Sequence, residues 1–416
     1  MKEDIQEELK AAHAATIYAK KLSDEGKREL LHAIAVGLEE RVAEILSENA
    51  KDLARMDATD TRYDRLLLTE QRVFALASSV REVAALADPT GQLLSQRLLE
   101  NGLTVEKKTV PLGVVAVIYE SRPNVTVDVA ALCIRSGNVC LLRGGTDAWH
   151  TNNALVGIIR DAIDAFRLPQ DMVLLLPTDR KFVSELLTAT TYVDIIIPRG
   201  SQALIDFVRE HAKVPVIETG AGVCHTYVEQ TADLDKAARI VANAKISRPS
   251  VCNSLDTVLV DDVLGEAFLA KLVPYFLEHE VRVFTDQRAY SLLADMQYPY
   301  LEQAADEDFG REFLSLQCSV KLVHSFEEAL GHIGKYSSKH SECIVSQDAE
   351  KIATFMDAVD AAAVYANAST RFTDGGEFGL GAEIGISTQK LHARGPFALE
   401  KLVTEKWYVT GDGQIR

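Results

Sequence analysis

The chain has 416 residues, 47% hydrophobic and 25% charged, the balance of a soluble globular protein of two or three domains at about 100–200 residues each. Its 44 Lys and Arg stand against 61 Asp and Glu, a formal net charge of −17. That argues against a nucleic-acid or anionic-membrane partner, since both demand a basic face, but not against a small anionic substrate, which needs only a local cluster of Arg or Lys.

No stretch approaches the ~18 uninterrupted apolar residues of a membrane span. Met1-Lys2-Glu3-Asp4-Ile5 is polar and acidic and does not read as a signal peptide. Cys133, Cys140, Cys224, Cys252, Cys318 and Cys343 are scattered with no CxxC pair. Neither a disulfide framework nor a zinc knuckle is expected, and a reducing cytoplasm is the simplest compartment.

Residues 1–87 read as helices. Leu30, Leu31, Ile34, Leu38, Val42, Ile45, Leu46 and Leu53 recur at helical spacing between Gly26 and Met56, and a second amphipathic stretch runs from about Thr69 to Leu86. Leu93 to Leu99 and Leu103 to Val110 flank Glu100-Asn101-Gly102, a hairpin signal. Two readings of this hairpin stay open: a projecting element that pairs with another chain, or a surface β-ribbon.

Next come βα units. Strands are expected at Val114–Ile118, Val139–Arg143, Met172–Leu176, Val193–Ile197 and Val214–Ile217. Helices are expected at Val125–Arg135 with Asn124 as cap, about Asn152–Phe166, Arg180–Ala189 and Ser201–His211. The alternation predicts a parallel, doubly wound α/β sheet. From Ala221 a second α/β set follows, with strands at Val258–Val260, Val281–Phe284, Val320–Val323 and Cys343–Val345, and a tail strand at Trp407–Thr410.

The dinucleotide fingerprint GxGxxG is absent, because Gly220-Ala221-Gly222 has His225 at the third glycine position. Pro198-Arg199-Gly200-Ser201 offers free N–H groups before a helix, which suits a phosphate or is an ordinary cap. Arg143 ends a strand and either holds a ribose or phosphate or is a solvated arginine.

Cys133, Cys140 and Cys343 sit among apolar neighbours and read as inert core residues. Cys252 lies instead in the turn-like Ser247-Arg248-Pro249-Ser250-Val251-Cys252-Asn253. It is either a nucleophile favoured by Arg248 or an ordinary thiol. His332 and His340 are spaced eight apart, which fits no common metal pattern, so His332 to Ile344 reads as a substrate-side or surface loop. In Asn367 to Glu383, Arg371 is able to grip a carboxylate beside the hydroxyls of Ser369 and Thr370, or the stretch is a long structural loop.

Pro111 to Ile118 looks like the opening strand of the aldehyde dehydrogenase superfamily. Tyr119-Glu120-Ser121-Arg122-Pro123-Asn124, Pro198 to Ser201, Arg248 to Asn253 and Ser369 to Pro396 closely resemble the gamma-glutamyl phosphate reductase family within it. Ser387-Thr388-Gln389-Lys390-Leu391-His392-Ala393-Arg394-Gly395-Pro396 is the most distinctive block, and the resemblance covers essentially the whole chain.

That resemblance implies an aldehyde dehydrogenase-like α/β fold in three parts. Residues 1–90 and 113–220 would form a Rossmann-type NADPH-binding domain, and 221–395 a catalytic domain holding the cysteine loop. Residues 91–112 and 396–416 would form a small β oligomerisation element, hence a homo-oligomer. The implied reaction is NADPH-dependent reduction of gamma-glutamyl phosphate through a Cys252 thioester, in proline biosynthesis from glutamate, with no metal. Transient contact with glutamate 5-kinase is an implied possibility.

Arg122 or Asn124 falls at the oxyanion donor, and Arg143, Arg199, Gly200, Ser201 and Glu312 fall to the cofactor. Arg371, Ser369 and Thr370 fall to the substrate, while Glu218 matches the water-activating base of hydrolytic relatives, which a reductase does not need. The rival readings are a hydrolytic aldehyde dehydrogenase and a silent oligomeric scaffold of the same fold.

Overall fold

The elements described up to residue 87 are helices, but the periodic run from Gly26 to Met56 is broken in two. In the computed structural model, which describes residues 4–60 and 62–416, α1 spans Gln6–Ala19, α2 Asp24–Glu40, α3 Val42–Leu53, α4 Tyr63–Leu66 and α5 Glu70–Ala85. The break falls at Arg41, whose backbone leaves the helical region (φ −108°, ψ 24°) while its guanidinium pairs with Glu44 and Asp161. Ser23 caps α2 by accepting the Gly26 N–H at 3.1 Å, and Thr69 caps α5 by accepting the Arg72 N–H at 3.2 Å. The stripes Leu30, Leu31, Ile34 and Leu38 of α2 and Val73, Ala77 and Val80 of α5 are buried, and the two helices pack together.

After the hairpin strands β1 (Leu93–Leu98) and β2 (Thr104–Pro111) the chain winds as β3 (Val114–Tyr119), α6 (Pro123–Arg135), β4 (Val139–Arg143), α7 (Trp149–Ala165), β5 (Val173–Leu175), α8 (Arg180–Thr188), β6 (Ile195–Arg199) and α9 (Gln202–His211). Its parallel sheet has the order β5-β4-β3-β6. The chain moves from β3 outward to β5, then returns to β6 on the other side of β3. Connections therefore diverge at the carboxyl ends of β3 and β6, where open α/β sheets place their ligands.

Two expectations need correction here. Val214–Ile217 is not a strand but a single bridge between Val216 and Ile196, since Pro215 has no N–H to extend the ladder. Asn124 does not cap α6. Pro123 occupies the first helical turn and Arg122 the cap position, which leaves Asn124 inside the helix.

The second α/β set runs β7 (Cys224–Val228), α10 (Leu234–Ile246), β8 (Leu255–Asp261), α11 (Gly265–Glu278), β9 (Arg282–Thr285), α12 (Gln287–Asp295), β10 (Leu301–Gln303), β11 (Gln317–Val323), α13 (Phe326–Tyr336), β12 (Ser341–Val345), α14 (Ala349–Ala358) and β13 (Ala363–Ala366). Its sheet order is β10-β9-β11-β8-β7-β12-β13. Val241, Phe268, Leu272 and Phe276 belong to one of its cores, and Tyr227, Leu259, Ile333 and Phe355 to another. The stretch His332 to Ile344 is not a surface loop. His332 belongs to α13, His340 directly precedes β12, and both are buried.

The chain ends with β14 (Glu383–Ser387), β15 (Gly395–Ala398) and β16 (Val403–Thr410). β14 pairs with β15. β16 pairs antiparallel with β2, Trp407 opposite Lys107, and completes a three-stranded sheet with β1. Residues up to Thr219, with Gly379–Gly385 and Pro396–Arg416, form one compact unit. Gly220–Phe378 and Ile386–Gly395 form a second.

Asn138 ties the first unit's sheet to its C-terminal tail. Its fully buried amide donates to Leu402 O at 2.7 Å and to Ser136 Oγ at 2.7 Å, and accepts the Gly113 N–H at 2.8 Å. Asn138→Ala leaves buried backbone groups unpaired and is expected to cost about 2–4 kcal/mol, read as a lower denaturant midpoint.

Candidate active site

In the second unit, solvent separates Cys252 from the other thiols. All six cysteines are free, and Cys252 alone among them is not fully buried. Burial pushes the thiols of Cys318 and Cys343 up to about 12, and those of Cys140 and Cys224 well above their ordinary range. Such thiols are inert at neutral pH.

The Cys252 loop rests on Gly222. A Cβ on Gly222 would fall 1.6 Å from the Cys252 carbonyl oxygen and 2.8 Å from its Cα, so no side chain fits there. Glu312 Oε1 accepts the Gly222 N–H at 2.9 Å, which puts the residue expected to grip the nicotinamide ribose beside the Cys252 loop.

Asn253 faces inward. Its amide donates to Arg371 O at 3.2 Å and Thr373 O at 2.9 Å, and Thr370 Oγ1 donates to Asn253 O at 2.8 Å. Arg371 Nη1 donates to Asn253 Oδ1 and Arg371 Nε to Ser247 Oγ at 3.2 Å. The loop at Ser369 to Thr373 is thereby fastened to the cysteine loop. Thr370 is fully buried and Ser369 nearly so, its Oγ accepting the Arg371 N–H. Both hydroxyls serve the loop from inside, and of the three residues assigned to substrate only Arg371 keeps its guanidinium half-buried. Burial and the neighbouring Arg248 push Arg371 below its ordinary value, while the carboxylates of Asp374 and Glu377 pull it back up.

In the first unit, the carboxyl ends of β3, β4 and β6 gather the remaining candidates. Ser121 is non-glycine at φ +39°, a strained conformation held by its Oγ donating to Asp147. It fixes the turn carrying Arg122. Arg143 is not a solvated arginine. Its Nη2 donates to Thr178 O at 2.7 Å, and burial and the nearby Arg180 push it below its ordinary value. The Nε atoms of Arg143 and Arg199 are buried with no hydrogen-bond partner among the described residues.

Ser201 caps α9, accepting the Leu204 N–H at 3.4 Å. The free Ser201 N–H does not wait for an external anion. Glu120 Oε2 accepts it at 2.9 Å, and a Cβ on Gly200 would lie 2.5 Å from that same oxygen. Asn124 is exposed and donates to Asp128 at 3.2 Å, and Glu218 lies 3.5 Å from Arg209. No group able to hold a metal ion occurs among the described residues.

Sequence reasoning passed over three of these residues. Gly222 stands in Gly220-Ala221-Gly222, whose spacing suggests only a dinucleotide turn. Glu120 lies in the Tyr119 to Asn124 motif with no local sign of a partner, and Asp128 lies in a helix with no local signal.

A family model described as aldehyde dehydrogenase family matches residues 1–288, and enzymes of this family use NAD(P). Gamma-glutamyl phosphate reductase of Legionella pneumophila is 50% identical over 419 residues, covering all of both chains. The crystal structure of gamma-glutamyl phosphate reductase from Thermotoga maritima superposes with a TM-score of 0.94 at 39% identity, again over all of both chains. Glyceraldehyde-3-phosphate dehydrogenase from Methanocaldococcus jannaschii, complexed with NADP, matches with a TM-score of 0.72 at 17% identity, covering 98% of this chain and 94% of its own. That likeness shows the fold alone. The chain belongs to the aldehyde dehydrogenase family, in its gamma-glutamyl phosphate reductase branch.

Two predictions follow from this geometry. Gly222→Ala must displace the Cys252 peptide, and is expected to lower turnover about 100-fold with an unchanged far-UV circular dichroism spectrum. Asp128 is partly buried, and desolvation raises its carboxyl to about 6 despite donors from Asn124 and Ser79 and the charge of Arg199, against about 3.9 unfolded. Between those values the unfolded chain binds fewer protons than the folded one, so wild-type stability falls as pH rises. Asp128→Asn removes that loss. Its stability relative to wild type should climb from pH ~4 to ~6, by on the order of 3 kcal/mol at most, and stay flat above, as read by urea unfolding at each pH.

Proposed function

We propose that the chain catalyses NADPH-dependent reduction of gamma-glutamyl phosphate to glutamate 5-semialdehyde and phosphate, the second step of proline biosynthesis from glutamate. One observation carries the assignment of roles. The thiol that escapes full burial, Cys252, lies within electrostatic reach of the half-buried Arg371 guanidinium. A thiolate and a fixed cation are what attack on a dianionic acyl phosphate needs, together with a grip on a carboxylate.

In this reading the Cys252 thiolate attacks the acyl carbon. The developing oxyanion takes a hydrogen bond from the Cys252 N–H and a second from Arg122 or Asn124. Phosphate leaves, and a thioester on Cys252 remains. When bound, the nicotinamide supplies the hydride that reduces this thioester. The resulting hemithioacetal collapses, returning the thiolate and releasing the aldehyde. Arg371 holds the substrate carboxylate in a bidentate grip. Glu218 takes no part, because a water-activating base would hydrolyse the thioester.

The residues present suit the cofactor. Arg143 and Arg199 end the strands flanking β3, each with a buried, unpartnered Nε, and a guanidinium recognises phosphate by geometry as well as charge. We assign NADPH on that basis. Arg143, Arg199, Gly200 and Ser201 hold its phosphates and Glu312 its nicotinamide ribose. A phosphate at the start of α9 takes the place that the Glu120 carboxylate holds in the free chain.

The sheet of β1, β2 and β16 exposes Leu98, Trp407 and Val409. An exposed apolar sheet of this kind fits pairing with a second copy, so we propose a homo-oligomer acting in the cytoplasm. Brief contact with the kinase that makes the acyl phosphate suits a substrate that hydrolyses readily.

The test supplies glutamate semialdehyde and NADP⁺, the reverse direction. Turnover should require phosphate or arsenate, and Cys252→Ser should lower it at least about 1,000-fold. Phosphate-independent turnover would point to the hydrolytic aldehyde dehydrogenase instead.

A further inference from the structure

Four consecutive backbone N–H groups at the mouth of β7 donate to side chains. Gly222 N–H goes to Glu312 Oε1 at 2.9 Å and Val223 N–H to Ser338 Oγ at 2.8 Å. Cys224 N–H goes to Asp256 Oδ2 at 3.4 Å and His225 N–H to Glu342 Oε2 at 2.8 Å. Three of the four acceptors are carboxylates, and the segment they hold is the shelf under Cys252, which Cys224 touches again through Sγ to Cys252 O at 3.3 Å.

Asp256 stands out among these acceptors. It is 2% exposed and lies on β8, four residues past Cys252. Its second oxygen, Oδ1, accepts the Phe313 N–H at 3.0 Å, the residue after Glu312. One carboxyl group therefore clasps both the Cys252 shelf and the turn that presents Glu312.

Lys245 supplies the counter-charge. It is fully buried on α10, 3.8 Å from Asp256 Oδ1, and its Nζ donates to Ser315 O at 3.1 Å and Gln317 O at 2.8 Å. It thus grips the far side of the same turn. Removing one partner of a buried pair is far costlier than the pair itself is favourable, which suits a device that fixes geometry.

We propose that Asp256, held by Lys245, is a positioning residue that locks the Glu312 turn and the Gly222–His225 shelf in one register with Cys252. It touches neither substrate nor cofactor. It acts by setting where the nucleophile stands relative to the carboxylate that orients the cofactor, a register to which rates are steeply sensitive. This rests on the reduction of an acyl phosphate proposed above.

The experiment compares the full-length chain with Asp256→Asn and Lys245→Met by two independent readouts. In the resting chain, iodoacetamide should modify Cys252 and spare Cys224, as mapped by mass spectrometry. Either variant loosens the shelf, and Cys224 modification should rise about tenfold or more. In phosphate-dependent oxidation of the semialdehyde, kcat should fall about 100-fold and the Kd for NADPH, from fluorescence titration, should rise about tenfold, with KM for the aldehyde within about twofold. Folded variants with Cys224 still protected and wild-type kcat and Kd would overturn the lock. So would failure of both variants to fold, which would make the pair a stability element. If the wild type itself shows no phosphate-dependent turnover, the reaction assignment fails, while the labelling of Cys224 still decides whether the lock exists.

Discussion

The chemistry of the second unit depends on a missing side chain. Because Gly222 has no Cβ, the Cys252 peptide lies directly on the strand entry rather than one methyl group away. That approach places the cysteine loop beside a segment whose N–H groups are taken by Glu312, Ser338, Asp256 and Glu342. A backbone laid on a backbone has no rotamers to sample, so the Cys252 loop inherits the rigidity of a parallel sheet. The fastening of Asn253 to the Ser369–Thr373 loop extends that rigidity to Arg371.

The charge balance acquires a sharper meaning in this light. A chain at −17 repels, on average, the anionic ligands proposed for it. Attraction must be local, and the structure keeps it local by burial. Arg143 and Arg199 keep buried Nε groups without partners among the described residues, and Arg371 is half-buried next to Arg248. In a low-dielectric setting a guanidinium acts on a nearby phosphate more strongly than a surface arginine does, and salt screens it less.

Much of this was legible in the sequence, and what was not has identifiable causes. The α/β alternation, the hairpin and the tail strand follow from hydrophobic period and from Asn101-Gly102, local signals that burial reinforces. Val214–Ile217 misled because apolar content cannot show that Pro215 lacks the donor needed to extend a ladder. Asn124 misled because its capping propensity was outweighed by Pro123, which fits the first helical turn better. Cys252 and Arg371 stand out in the sequence because their motifs are contiguous. Asp256, Lys245 and Glu120 act through partners 11 to 81 residues away, as with Glu120 on Ser201 and Lys245 near Asp256, and a single sequence does not display such pairings.

Glu120 shows how such a pairing bears on ligand binding. The N-terminus of α9 carries unsatisfied N–H groups and the positive end of a helix dipole, so leaving it empty would cost free energy. Here the chain fills it with its own carboxylate, and Gly200 makes the room. A phosphate of the proposed cofactor would have to displace that carboxylate, and the nearby Arg143 and Arg199 would supply the added attraction. A small anion without a second phosphate to engage those arginines gains little by displacing a tethered carboxylate. In that reading the internal anion would raise discrimination in favour of the larger ligand, at the expense of some affinity.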